Sequence, residues 1–315
     1  MMAPYMLTKD LSTLSRLNSK KFLITGANGM LGRAFRCQIE RYAPGAEVYS
    51  LDKSQLDVRQ SEAFVPYVHL RPDYILHCAG MIDADFCEEH VVDGKRSIVE
   101  GTHNVVEFAR RSGSKLLYPQ SFLIYDGAEL IDEQTSPNPL CMYGRFKVEA
   151  ENLVLSGTTD ALSVHMGGFF GGESADNNFV GRITRHLAKL IEEGTNAIQI
   201  GDRIWQPTFT NDLAANCLLL IAEHRVGKYC MAAHESASFH ELVCEIAFQL
   251  GISDRIDISK IDATVLAAKE RALRPRSATM INRRLEREGL DRQRPWRQAL
   301  AEYLNQSYFK DLFNE

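Results

Sequence analysis

No run of 18 apolar residues occurs anywhere in this 315-residue chain, so the sequence offers no membrane-spanning helix. A cleavable leader is not expected either: Met1 to Ser19 carries Lys9, Asp10 and Arg16 and lacks the long apolar core of a secretory signal. There is no Cys-x-x-Cys among Cys37, Cys78, Cys87, Cys141, Cys217, Cys230 and Cys244. Seven thiols cannot all pair, so the pattern predicts reduced cysteines in a cytoplasmic setting and argues against a metal site. Positive charge is not in excess either. The formal net charge is −5, and the basic stretches at Arg271 to Arg276 and Arg283-Arg284 lie among acidic residues. Neither nucleic acid nor an anionic membrane is an expected partner. Internal repeats and low-complexity segments are absent. What remains is an ordinary globular composition, 45% hydrophobic and 24% charged, long enough for one large domain or for one large and one small.

Within that composition, short apolar runs alternate with amphipathic stretches. Lys21 to Thr25, Glu47 to Asp52, Asp73 to Ala79, Lys115 to Tyr118 and Ala161 to Met166 read as buried strands. Helical patterns fall between them, at 61–70, 93–112 and 141–156, and a further one follows the first strand to Tyr42. Repeated βα order predicts an α/β fold, a Rossmann-type doubly wound parallel sheet. Beyond residue 168 the order loosens, with short strands near 197–200 and 228–232. The expected division is an N-terminal extension at 1–19, a Rossmann domain at 20–168, and a part at 169–315 that mainly binds substrate while returning some segments to the sheet.

The first strand runs directly into Gly26-Ala27-Asn28-Gly29-Met30-Leu31-Gly32. Gly26 permits a tight turn, Gly29 lets backbone approach a pyrophosphate, and Gly32 allows the helix to lie close on the strand. Free N–H groups at the helix start would hold phosphate. An acid at the end of the second strand is the expected partner of a ribose diol, and Asp52 stands there. Asp52 favours NAD; Lys53 beside it could pair with a 2′-phosphate, so NADP stays open. A third element lies downstream. Tyr143 and Lys147 are one helical turn apart, placing a phenol and an ammonium on one face, where the cation can favour phenolate and make Tyr143 a proton donor for carbonyl reduction.

Glycine turn, Asp52, Cys78-Ala79-Gly80 after a strand, Ser121, Tyr143 and Lys147 together resemble an extended short-chain dehydrogenase/reductase. More narrowly, the chain resembles the dTDP-4-dehydrorhamnose reductase family from residue 20 onward, through Leu51 to Val58, Asp126-Gly127, Pro137 to Leu140 leading into Tyr143-Gly144-Arg145, Asn178-Phe179-Val180, Pro207-Thr208, Asp212-Leu213-Ala214, Arg274-Pro275 and Pro295 to Leu300. The resemblance implies an NAD(P)H-dependent reductase of a nucleotide-linked 4-keto-6-deoxyhexose. Tyr143 would give its proton to the carbonyl oxygen, Ser121 would hydrogen-bond that oxygen, and Lys147 would lower the tyrosine pKa and hold the nicotinamide ribose. Gly26, Asn28, Gly29, Met30, Leu31, Gly32, Asp52, Lys53, Asp57, Val58, Cys78, Ala79 and Gly80 would line the cofactor. Phe122, Phe170, Asn178, Trp205 and Arg274 would face a small-molecule substrate, with Arg274 as a fork for pyrophosphate. A homodimer is left open.

Departures from the family cluster on the substrate side. Where the family usually has Thr-Asp-Tyr-Val-Phe-Asp-Gly, this chain has Ser121-Phe122-Leu123-Ile124-Tyr125-Asp126-Gly127; Ile98 replaces an Asn, and bulky Trp205 a glycine. The expected pocket is narrower and more apolar, suited to a substrate poorer in hydroxyls. His77 and His165 fall in buried strands and read as satisfied core histidines. Asp83, Asp85, Glu88 and Glu89 read as solvated or capping acids. Phe169-Phe170 could stack on a ligand or pack a domain junction. Two other readings stay in view: an epimerase or dehydratase that returns its hydride, and a non-catalytic cofactor-binding subunit, since the regulatory subunit of methionine adenosyltransferase resembles the same family.

Overall fold

A computed structural model of the protein describes residues 12–127, 130–267 and 270–313. Its centre is a parallel sheet of six strands: β1 (Lys21–Thr25), β2 (Glu47–Leu51), β3 (Tyr74–His77), β4 (Lys115–Ser121), β5 (Ala161–Met166) and β6 (Gly227–Met231), in the order β6-β5-β4-β3-β1-β2. Alternation along β1 explains the layers. Phe22 and Ile24 enter one hydrophobic cluster with Leu31, Phe35 and Ile39 of α1 (Met30–Tyr42), whereas Leu23 enters the other. That second cluster holds α2 (Ala84–Glu89), α3 (Gly101–Ser112) and α4 (Met142–Gly157) against the opposite face.

Two local outcomes differ from the sequence reading. Residues 61–70 wind as a 3-10 helix, because Pro66 lacks an N–H and its ring obstructs an α-helical turn. The stretch at 93–112 is not one helix; a π turn at Arg96–Glu100 precedes α3. The N-terminal extension is docked where it is described: Leu14 and Leu17 of the short helix Ser12–Leu17 are 0% and 2% exposed. Residues 1–11 of that extension lie outside the described residues.

The remainder builds a smaller layer from α5 (Phe179–Glu192), α6 (Thr210–Ala222), α7 (Phe239–Gln249) and α8 (Trp296–Leu304), with small two-stranded pairings such as Ala197–Gly201 with Asp257–Ile261. Two of its segments return to the main sheet: β6 pairs with β5 along its edge, and α6 packs with α1 in the first cluster. The strand expected near 228–232 is therefore part of the sheet. All seven cysteines are free. Among the described residues no helix is long and apolar enough to cross a membrane.

Candidate active site

The strand order reverses between β1 and β3, and the loops leaving their C-terminal ends meet there. Gly26 lies at φ 64, and a Cβ on it would stand 2.7 Å from the Ala79 nitrogen, so only glycine lets the two loops touch. Gly32 is equally confined: its Cβ would reach within 2.6 Å of the Gly26 carbonyl oxygen. Gly29 caps α1 in an extended conformation with no side-chain bond to the helix start. The first N–H groups of α1, led by Met30 and Leu31, are left for an anion. At the end of β2, Asp52 accepts hydrogen bonds from Ser54 N at 2.8 Å, Ser54 Oγ at 2.6 Å and Asn28 Nδ2 at 2.8 Å. Those bonds, the Ser54 hydroxyl first, hold its carboxyl below the usual range. Lys53 is exposed on the rim. Asp57 is paired with Arg59, which brings it to about 2, and the Val58 carbonyl accepts from Asn104 Nδ2 at 2.9 Å.

Behind this cradle, Ala79 N donates to Thr25 Oγ1 at 3.2 Å, Thr25 meets His77 Nδ1 at 2.9 Å, and His77 Nε2 meets Thr102 at 3.1 Å. Burial, and next the charge of Lys147, push His77 down to about 3. It is a neutral cross-link of the core, as its strand position suggested. Cys78 is pushed up to about 12 by burial, and Gly80 is exposed at φ 155.

Ser121 ends β4 and caps the turn Phe122–Ile124 by accepting from Leu123 N at 3.2 Å. The helix that carries Tyr143 is drawn onto that turn by Gly144, whose Cβ would clash with the Leu123 oxygen at 2.4 Å and the Pro139 side chain at 2.7 Å. Its start is secured by Cys141 Sγ, which accepts from Gly144 N at 3.5 Å, and by Glu88 of α2, which accepts from Met142 N at 2.7 Å. Ser121 and Tyr143 thereby come together, the serine side chain near enough to act on the phenol. Burial holds the Tyr143 phenol above its ordinary pKa, and the nearby Ser121 side chain acts against that rise.

One turn on, Lys147 Nζ donates to the Pro119 carbonyl at 2.7 Å and lies 3.9 Å over the Tyr118 ring. The ammonium is thus engaged by a strand-end carbonyl and an aromatic face, where the spacing alone suggested direct tuning of the phenol. Burial lowers Lys147 to about 7, while Glu151 and Cys78 act to raise it. Gln120, which the sequence reading missed, joins the two elements: Oε1 accepts from Ser121 N at 2.8 Å and Nε2 donates to the Lys147 carbonyl at 2.9 Å. Glu151 was missed too, although its place two turns after Tyr143 on the same helix face was a legible signal.

The expected substrate residues are less uniformly placed. Phe122 is half-buried beside Ser121. Phe170 is corrected: its ring is 0% exposed, stacked on Phe209 at 5.4 Å and set against Tyr303, so it packs the junction and offers no face to a ligand. Trp205 is 5% exposed and packs on Phe179 and Phe239. Its bulk is taken up by Gly168, where a Cβ would stand 2.1 Å from the indole, so the ring enters a core in place of narrowing an open pocket. Asn178 Nδ2 donates to the Phe169 carbonyl at 2.8 Å. Arg274 is not a free fork. Asp85 takes its two terminal nitrogens at 3.2 and 3.0 Å, and Glu270 lies at 3.5 Å.

The nearby acids mostly cap or pair: Asp83 caps α2, and Glu89 pairs with Arg271. A cavity of about 260 Å³ lined by Asp83, Asp85, Phe86, Glu89 and Arg271 carries three carboxylates, the wrong sign for a diphosphate. Among the described residues His234, Glu286 and Asp291 bring ligand atoms within 4.8 Å of one another. Asp291 is already bonded there by Asn282 and the Gln293 nitrogen.

A family model described as the RmlD substrate binding domain matches residues 20–309. Among curated relatives, a spore coat polysaccharide biosynthesis protein, SpsK, of Bacillus subtilis (strain 168) is 26% identical over 289 residues, covering 91% of this chain and 97% of that protein. Methionine adenosyltransferase 2 subunit beta of Bos taurus is 28% identical over 308 residues, covering 91% and 87%. Among solved structures, a dTDP-4-dehydrorhamnose reductase of Clostridium acetobutylicum superposes with a TM-score of 0.82 at 28% identity, covering 90% of this chain and 98% of that one.

Proposed function

Since the chain belongs to the RmlD substrate binding domain family, we propose that it is an NAD(P)H-dependent reductase of a nucleotide-linked 4-keto-deoxysugar. The observation that carries this is the adjacency of Ser121 and the buried Tyr143, with Lys147 one turn on, next to a glycine-walled cradle. The cradle fits a dinucleotide: Gly26 and Gly32 keep it clear of side chains, the open start of α1 suits a pyrophosphate, and Asp52 at the end of β2 would accept from a ribose diol. A bound reduced nicotinamide supplies the hydride. Tyr143 donates the proton to the carbonyl oxygen, Ser121 holds that oxygen in line, and Lys147 keeps positive charge beside both the phenol and the ribose site.

The deciding measurement is the stoichiometry of NADH or NADPH oxidation with dTDP-4-dehydro-6-deoxy sugars. One equivalent oxidised per sugar reduced supports the reading. Sugar conversion without net oxidation would mean epimerisation or dehydration. Dinucleotide binding with no turnover would favour a second reading, a non-catalytic subunit, which the 28% likeness to methionine adenosyltransferase 2 subunit beta brings forward. Against it stands the assembled Ser121, Tyr143 and Lys147.

The substrate follows from Phe122 and Leu123, both half-buried beside Ser121. An unpaired hydroxyl buried against them costs about 1 to 3 kcal/mol. A 2- or 3-deoxygenated sugar is therefore expected to give the higher kcat/KM, and faster turnover of the fully hydroxylated sugar would refute that preference. For the cofactor, dual use with a mild preference for NADH is expected, with Lys53 partly offsetting the repulsion between Asp52 and a 2′-phosphate. Asp52→Ala should move the preference toward NADPH. Equal loss of affinity for both dinucleotides would instead assign Asp52 to holding the turn through Asn28 and Ser54.

A further inference from the structure

We propose that Glu151 is a positioning residue of the active site, its buried carboxylate keeping Lys147 in the ammonium form. The proposal rests on the reading above, in which Lys147 serves the ribose of a bound dinucleotide. Tyr143, Lys147 and Glu151 follow one another at four-residue intervals along α4 and so share a face. Glu151 is 1% exposed. Three groups from the sheet fix it: Ser163 Oγ donates to Oε1 at 2.6 Å, His165 Nε2 meets the same oxygen at 2.5 Å, and Lys228 Nζ stands 3.4 Å from Oε2. Tyr125, on the far side of His165 Nδ1 at 2.6 Å, completes the chain.

A buried carboxylate without such partners would take up a proton. Burial does act to raise Glu151, but the bond and charge of His165, the Ser163 bond and the charge of Lys228 bring it down to about 2. It is therefore an anion at neutral pH. Among the described residues no comparable anion acts on Lys147. His77 and Cys78 at the end of β3 are neutral, since burial lowers the first and raises the second. Tyr118 of β4 and Tyr143 on the same helix are both raised by burial and stay protonated. Tyr125 and Cys230, which also feel Glu151, are likewise raised and uncharged. Lys147 itself is brought near neutrality by burial, with Glu151 the larger of the two influences that favour its charge. Without that influence the ionisation would fall below neutrality, and the amine would be mostly uncharged at neutral pH. It would then neither attract the phenolate that forms on Tyr143 nor donate fully to a ribose hydroxyl.

A carboxylate that merely ties α4 to β5 would affect stability and leave the ionisation of Lys147 unmoved. The pH dependence separates the two roles, read as the dissociation constant of NADH or NADPH from the fluorescence of the bound dinucleotide. Binding by the wild type should weaken as pH rises through the Lys147 ionisation, and Lys147→Met should abolish that inflection. Glu151→Gln keeps the volume and the Ser163 bond, and should move the midpoint down by about one pH unit, a tenfold weakening on the alkaline side. Glu151→Asp should restore part of it. Lys228→Met removes a cation that draws on the same carboxylate, and should move the midpoint up. Because Lys228 is 34% exposed, that variant carries the test even if Glu151→Gln fails to fold. Unmoved midpoints in the folded variants would overturn the proposal and leave Glu151 a core cross-link. Failure of the reductase reading looks different: no sugar is turned over, yet the midpoints still shift.

Discussion

Tyr143→Phe should retain the fold and the dinucleotide affinity of the wild type while turnover falls by about 10² or more. The substitution removes one oxygen from a side chain that is 8% exposed and packs in the cluster with Cys87, Cys141 and Phe146. Packing is unchanged, and the partner left behind is not orphaned, because Ser121 Oγ still accepts from Leu123 N. What is lost is the phenolic proton beside Ser121. Single-turnover oxidation of NADPH with saturating sugar reads the chemical step directly, and a dinucleotide titration of the same protein reads the binding step. A loss confined to the first identifies Tyr143 as the acid. Wild-type turnover would remove it from the mechanism and leave a water or Ser121 to supply the proton. Ser121→Ala should cost less than Tyr143→Phe, since the hydroxyl aligns the oxygen without giving up its proton.

The parts of this site that were legible in the sequence are those whose cause is local. The strand Lys21–Thr25, the glycines after it, and the helical spacing of Tyr143 and Lys147 each follow from neighbouring residues, and the structure has the same elements at those places. Residues whose surroundings come from distant segments were not legible in this way. Arg274 is held by Asp85, far away in the chain, so a motif next to Pro275 could not show that its guanidinium is already spoken for. Trp205 looked like an obstruction in the pocket because Gly168, which accommodates it, comes from the end of another strand. Phe170 was open between two readings until its contacts with Phe209 and Tyr303 placed it in the core. His165 was read correctly as satisfied, but not by what; its partners Glu151 and Tyr125 come from α4 and the turn after β4. Periodicity places a residue on a face, and only topology says what faces it.

Gly26→Ala should be among the most damaging single-atom-group additions in the protein, and comparison with Gly113→Ala isolates why. Both glycines have left-handed backbones, at φ 64 and φ 72, so an added methyl meets a similar intrinsic strain of about 1 to 2 kcal/mol at each. Their surroundings differ. Gly113 closes α3 with nothing within 4 Å of its would-be Cβ, whereas at Gly26 the methyl would lie 2.7, 2.8 and 2.9 Å from Ala79 N, Ala79 Cα and the Cys78 carbonyl carbon. Those are backbone atoms and cannot rotate aside, so the β1 and β3 loops must part. Overpacking of that kind adds about 1 to 3 kcal/mol. It also pulls Ala79 N away from Thr25 Oγ1 and opens the wall against which a pyrophosphate would lie. Urea unfolding should therefore show Gly26→Ala losing about 2 to 5 kcal/mol and Gly113→Ala only the smaller, purely conformational part. NADPH titration should show weakened binding for the first and unchanged binding for the second. Equal losses of stability and intact dinucleotide affinity in both variants would mean that the turn can shift without consequence, and that the contact between the two loops is not what shapes the cradle.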